Sequence, residues 1–224
     1  VYPKLGSYTW LQDQLDKLSG SSLTLDRNVT FDPYYDMHPL NKYNGRINFV
    51  NGMLINKTLS FDGNGFTISG LNQARIFTVT SSNVEFKNTN FVNANTTANG
   101  GALFLNAGVN HVTISKCSFE SNHADSYGGA IYHEGQGNNI MIYDTVFDKN
   151  TAADGGAIQL YASYSTPYTY IEISGCNFTN NRATSTGDWG GSALSINQAT
   201  GVTVTNTKFD SNVASASGAV LLDY

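Results

Sequence analysis

Glu120 and Asp148 come closest, in residue type and spacing, to a pair that could do chemistry. Each follows a Phe by one residue in consecutive copies of an internal repeat, so stacked copies would bring the two carboxyls within about 5 Å. Glycoside hydrolysis uses two carboxyls, about 5–5.5 Å apart for retention and about 6.5–9.5 Å for inversion. The competing reading is a pair of solvated surface carboxylates beside an apolar column. Glu134 and Asp223 share another column, but three copies apart, which is too far for joint action. A polysaccharide lyase would want a basic group near a calcium-holding acidic cluster, and Arg27, Arg46, Arg75 and Arg182 all read as lying off the repeat strands. His38, His111, His123 and His133 lack paired ligand spacing, so no metal and no cofactor is expected. His133 falls in an inward column next to Ile131 and reads as a satisfied core histidine. Asp62-Gly63-Asn64-Gly65 resembles part of a calcium loop but lacks the acidic ligand downstream, so a tight turn is expected. No nucleophile elbow, phosphate loop or dinucleotide fingerprint is present.

A binding surface is the stronger candidate. The segment between Ile158 and Ile171 is longer than its equivalents and carries Tyr161, Tyr164, Pro167, Tyr168 and Tyr170. The segment between Asn181 and Ala193 is also long and carries Arg182, Asp188 and Trp189. These loops could wall one outward face, with Tyr161, Tyr168 and Trp189 above a floor of Tyr132, Glu134, Gln159, Ser195 and Asn197. Aromatic walls over a polar floor suit carbohydrate or protein contact. The bland alternative is loop elongation, with the tyrosines covering the edge of the stack.

The elements that must position these residues come from the repeat. Five segments superimpose without gaps: Val84 to Phe91, Val112 to Phe119, Ile140 to Phe147, Ile171 to Phe178 and Val202 to Phe209. Each reads apolar-x-apolar, then Thr or Cys, then Phe, and four of the five place Asn three residues later, at Asn122, Asn150, Asn181 and Asn212. Ala94 fills that place in the first copy. A small-residue signature follows: Gly100-Gly101-Ala102, Gly128-Gly129-Ala130, Gly155-Gly156-Ala157, Gly191-Ser192-Ala193 and Ser217-Gly218-Ala219. Alternation with period two means strands, and each repeat reads as two short strands between Asn and Gly corners. So short a repeat can bury its apolar residues only against copies above and below it. Coiling the chain so that equivalent strands pair in parallel does this, which predicts an all-β, single-stranded parallel β-helix. Cys117 and Cys176 then share a column two coils apart, about 9–10 Å, beyond the reach of about 7 Å for a disulfide. Two free, buried thiols are expected.

Composition agrees with a stack. Among 224 residues there are 26 Asn and 22 Gly, while charged residues make up 13% against roughly 25% in an ordinary soluble domain. Like charges repeated up an outward column would repel, whereas Asn, Thr and Ser can hydrogen-bond along it. With 12 Phe and 13 Tyr the chain has a sizeable core, which excludes a disordered chain. Two cysteines exclude a disulfide scaffold, and a net charge of −5 argues against nucleic acid or an anionic membrane surface as partner. No apolar run is long enough to span a bilayer. The sequons at Asn28, Asn56, Asn95 and Asn177 are no more than chance supplies for this composition.

Residues 1–58 read as an N-terminal cap with the first irregular coils, and 59–224 as β-helix repeats, together one continuous domain. A capping helix is expected over 8–19, from Thr9 and Gln12 as a capping box, Leu11, Leu15 and Leu18 on one face, and Gly20 as the stop. The Tyr34-Tyr35 region reads as a loop or part of the cap. Val1 reads as the start of a mature chain or of an expressed fragment, and the stop in mid-coil leads us to expect further repeats after Tyr224.

The Phe-x-x-Asn and Gly-Gly-Ala-(Ile/Leu/Val) signatures over residues 84–222 resemble the polymorphic outer-membrane protein repeats. The N-terminal part, with a capping helix leading to Asp62-Gly63-Asn64-Gly65-Phe66-Thr67-Ile68, is similar to the adhesin-like surface proteins of methanogenic archaea. The resemblance implies a right-handed β-helix displayed outside the cell, acting in adhesion to a cell-surface glycan or protein, with no catalytic residues to carry over. The alternative is a carbohydrate-active β-helix enzyme, a lyase or glycoside hydrolase, or a glycan-binding module.

Overall fold

A computed structural model describes residues 4–135, 137–163, 165–186, 190–215 and 218–223. The chain winds into a right-handed parallel β-helix of about six turns, and every pairing between its strands is parallel. Pairing begins at Ser22–Thr24 on Leu59–Asp62, so the stack runs unbroken across residue 58.

The coils build four sheets, not two, and the first coils contribute to only three of them. The first sheet has seven strands from Ser22–Thr24 to Val202–Thr205, and the second has seven from Val29–Thr30 to Lys208–Asp210. The third is narrow, five two-residue strands from Asn95–Thr96 to Val213–Ala214. The fourth has seven, from Met53–Ile55 to Val220–Asp223. The expected single strand ending in Phe breaks because one residue in it turns left-handed: Asn88, Lys116, Asp144, Gly175 and Asn206 all have φ between 48° and 68°. Asn, Asp and Gly tolerate that region, and Lys116 is held there by the coils on either side. Among the described residues, eight of the sixteen non-glycine positions with positive φ are Asn, which accounts for part of the Asn surplus.

Inward columns form the core. Phe91, Phe119, Phe147, Phe178 and Phe209 stack with centroids 4.6–5.0 Å apart and rings within 15° of parallel. That spacing is the strand spacing itself. Beside them runs a buried amide ladder. Asn122, Asn150 and Asn181 each donate through Nδ2 to the Oδ1 of the next Asn at 2.9–3.0 Å, ending at Asn212. The same amides donate to Phe carbonyls one coil earlier. Ala94 occupies the start of this column, where its backbone N–H donates to Asn122 Oδ1 at 3.0 Å. Cys117 and Cys176 are free and buried. Their thiols donate to the carbonyls of Ser115 and Ser174, as Thr89 and Thr145 hydroxyls in the same column do to Lys87 and Tyr143.

The cap helix runs Tyr8–Lys17, with Ser7 rather than Thr9 as N-cap, its hydroxyl accepting from the Trp10 N–H. Thr9 and Gln12 have other duties. Thr9 bonds the buried Asp36 carboxylate. Gln12 pairs its amide with both the N–H and the C=O of Leu54, at 2.7 and 3.1 Å, and so closes the edge of the fourth sheet as another strand would. The Tyr34-Tyr35 segment is a short helix, Pro33–Asp36, capped by Asp32.

Candidate functional site

The outward face of the fourth sheet carries a column in register: Leu54, Thr78, Phe104, Tyr132, Gln159, Ser195 and Leu221. Beside it Tyr161, Asn197 and Asp223 form a second column. Between these columns and the two long segments lies a groove of about 620 Å³, lined by Tyr127, Tyr132, Asp154, Gln159, Tyr161, Ala162, Ser163, Gly190, Ser195, Asn197, Gln198 and Asp223. Tyr132, Gln159, Tyr161, Ser195 and Asn197 are therefore brought together as the sequence led us to expect.

Three expected members differ. Tyr168 is fully buried and forms no wall. The long segment folds back so that Tyr168 bridges to Ala199 as an extra rung, and its ring packs inward on His133. Glu134 is exposed beside the groove rather than in its lining. Trp189, with Tyr164 and Asp188, lies outside the described residues. The sequence reading missed Tyr127 and Asp154. Each directly precedes a Gly-Gly-Ala signature, and the two bridge each other in register. Gly190 stands next in that series, at φ +108°, and a Cβ there would lie 2.4 Å from Asp154 Cβ.

Rings line one side of the groove. Tyr132 stacks on Phe104 at 5.8 Å and on Tyr127 at 6.0 Å, with planes within 21°. Burial, and then the neighbouring Glu134 carboxylate, push the Tyr132 hydroxyl up to about 12. Tyr161 is half exposed opposite. The floor is polar and buried. Gln159 donates its amide to Asn197, leaving Gln159 Oε1 without a partner, and the Ser195 hydroxyl and Asp154 Oδ1 have none either. Each unpaired buried polar atom costs about 1–3 kcal/mol. Ser195 is fully buried and Gln159 is 4% exposed, so water does not reach the unpaired atoms, although both residues line the groove. Burial raises the Asp154 carboxyl above its ordinary range, against a hydrogen bond from Ser185.

Glu120 and Asp148 do pair in register on the second sheet, away from this groove. Lys149 lies between them, 2.9 Å from Asp148 and 3.8 Å from Glu120. Burial acts to raise the Asp148 carboxyl, but hydrogen bonds from Lys149, Asn180 and Thr179 outweigh it and hold the group below its ordinary range. A neutralised, ionised carboxylate is a poor general acid. The arginines also need one correction: Arg182 does sit on a repeat strand, in the third sheet that the sequence reading lacked. Arg75 is buried, and Gly100, Asn51, Asn99, Thr78 and Thr96 oxygens take all its N–H groups. Burial lowers it to about 10. Among the described residues no group of three or more His, Cys, Asp or Glu gathers as a metal site would require.

Comparison with known families matches residues 51–222 to the right-handed beta helix region. The chain belongs to the right-handed beta helix family. No curated protein and no solved structure matches it. Membership explains the coil and its four sheets, and leaves the groove's role to its own residues.

Proposed function

We propose that this right-handed beta helix is a non-catalytic, cell-surface adhesin-like module, and that the fourth-sheet groove holds a glycan of another cell or surface. The observation that carries the reading is the combination of stacked Tyr127 and Tyr132 with the buried, unpaired Gln159 Oε1 and Ser195 hydroxyl in one groove. Ring faces take the apolar faces of sugars, and a few buried polar groups fix their orientation. The resemblance of the repeat signatures to polymorphic outer-membrane protein repeats and to methanogen adhesin-like proteins supports display outside the cell.

The second reading is a carbohydrate-active enzyme, favoured by Asp154, a carboxyl held above its ordinary range in the same groove. Its partner there would be Asp223. Asp154 precedes the Gly155 turn, where the chain doubles back on Ile158 and Gln159, and Asp223 lies opposite Asn197, two coils on. A glycan array with product analysis tests both readings: retention of an intact glycan, lost in Tyr132→Ala, is expected, and release of shorter products would replace adhesion by catalysis.

A further inference from the structure

We infer that the groove selects an uncharged glycan and rejects chains that carry carboxylates or sulfates. The inference rests on the glycan reading above and adds the class of ligand. Among the described residues that line the groove there is no Lys, Arg or His, while Asp154 and Asp223 are both present and Glu134 stands beside Tyr132. An anionic chain would enter an acidic groove with no counter-charge to meet it. Arg75 reaches the ring stack through Phe104, 5.0 Å from its centroid, but its donors are all committed to backbone and hydroxyl oxygens.

The unpaired atoms point the same way. Gln159 Oε1 and Asp154 Oδ1 are acceptors and need donors; the Ser195 hydroxyl can do either. A sugar hydroxyl supplies a donor and an acceptor together. A carboxylate or sulfate group supplies acceptors alone, so where one stands in place of a hydroxyl at Gln159 or Asp154 it leaves that atom unpaired and adds repulsion. The near-parallel rings of Tyr127 and Tyr132 offer a face to an uncharged ring.

The test is calorimetric titration of the whole chain with cellohexaose, mannohexaose and N-acetylchitohexaose, set against hexagalacturonate and a heparin hexasaccharide. At least one neutral hexasaccharide should bind, with affinity unchanged between low and high salt, and the anionic pair should bind at least about tenfold more weakly. In Asp154→Asn/Asp223→Asn the gap between neutral and anionic ligands should narrow. Tighter binding of either anionic hexasaccharide, abolished by Tyr132→Ala, would overturn the inference and leave the groove reading standing. Binding by none of the five, or neutral binding untouched by Tyr132→Ala, would overturn the groove reading as well.

Discussion

Acidification should strip about 3 kcal/mol from this fold through one side chain, His133. It occupies an inward column between Leu105 and Leu160 and is fully buried. Its Nε2 lies 3.0 Å from the Val109 carbonyl, which can only accept, so Nε2 carries the hydrogen. Nδ1 is then the bare nitrogen and takes the hydroxyl hydrogen of Tyr168. Burial lowers the imidazole from 6.5 to about 4, against the opposing hydrogen bond to Val109. Above pH 6.5 neither folded nor unfolded chain holds the extra proton, and this contribution to stability is complete. As pH falls from 6.5 to about 4 only the unfolded chain gains it, so folding weakens by about 1.4 kcal/mol per pH unit, about 3 kcal/mol in all. Below that, both states are protonated and no further loss comes from this group. Protonation puts a second hydrogen on the ring, and the Tyr168 hydroxyl must then turn toward the Tyr161 carbonyl, 3.4 Å away.

Carboxyls titrate nearby, so the assay is a difference. Urea unfolding, followed by circular dichroism across this range, is compared between the wild type and His133→Leu/Tyr168→Phe. Leu fits because Leu105 and Leu160 flank the site in the same column, and Phe removes the stranded hydroxyl. The wild type should lose about 3 kcal/mol relative to the variant between pH 6.5 and 4. Parallel curves would refute both the tautomer and the burial argument.

Asn150→Ala removes the middle of the amide ladder and strands the Asn122 N–H and the Phe119 carbonyl; urea unfolding should show a loss of about 3 kcal/mol or more, and a loss under about 1 would mean the ladder is incidental. The Cys117 and Cys176 thiols, pushed by burial up to about 12 and about 11, should resist iodoacetamide in the native protein and react fully once it is unfolded. Arg75→Lys loses the five-donor fork and should cost about 2–3 kcal/mol by urea unfolding, because an ammonium cannot reach the same oxygens. Gly190→Ala should leave the circular dichroism spectrum intact yet weaken glycan binding on the array, since its Cβ would displace Asp154.

The groove floor was legible because it obeys the period of the strand. Tyr132, Gln159 and Ser195 each sit one residue past an inward apolar residue, and gap-free repeats fix their register. Tyr127 and Asp154 share a register as the residues preceding Gly-Gly, but they were missed because they fall at a corner, where alternation gives no direction. Tyr168 was not legible. It lies in an insertion without periodicity, and its inward turn depends on two distant groups, the Ala199 bridge and the His133 ring. The split into four sheets was announced by Asn88, Asp144, Gly175 and Asn206, which tolerate positive φ, but Lys116 adopts it in the same column under tertiary constraint, with nothing in its own chemistry to mark a corner.

Low charge, read along the stack, locates the groove as well as explaining the surface. Where carboxylates do sit near each other in the coil, a cation neutralises them, as Lys149 does for Glu120 and Asp148; elsewhere Lys87 faces Asp62 in register, 3.9 Å apart. Asp154 and Asp223 break that pattern: among the described residues that line the groove, none is a cation. Two uncompensated acids, a stack of rings and three of the five unpaired buried polar atoms among the described residues lie on one face; the other two are Tyr8 Oη and Asn177 Oδ1. Folding alone gives no reason to gather such costs in one place, because an apolar or amide column would serve the coil better, as the Asn ladder does on its other side. A ligand that supplies hydroxyl donors offsets all of these costs at once, which is why the groove, and not the in-register pair Glu120 and Asp148, is where the function of this β-helix should be sought.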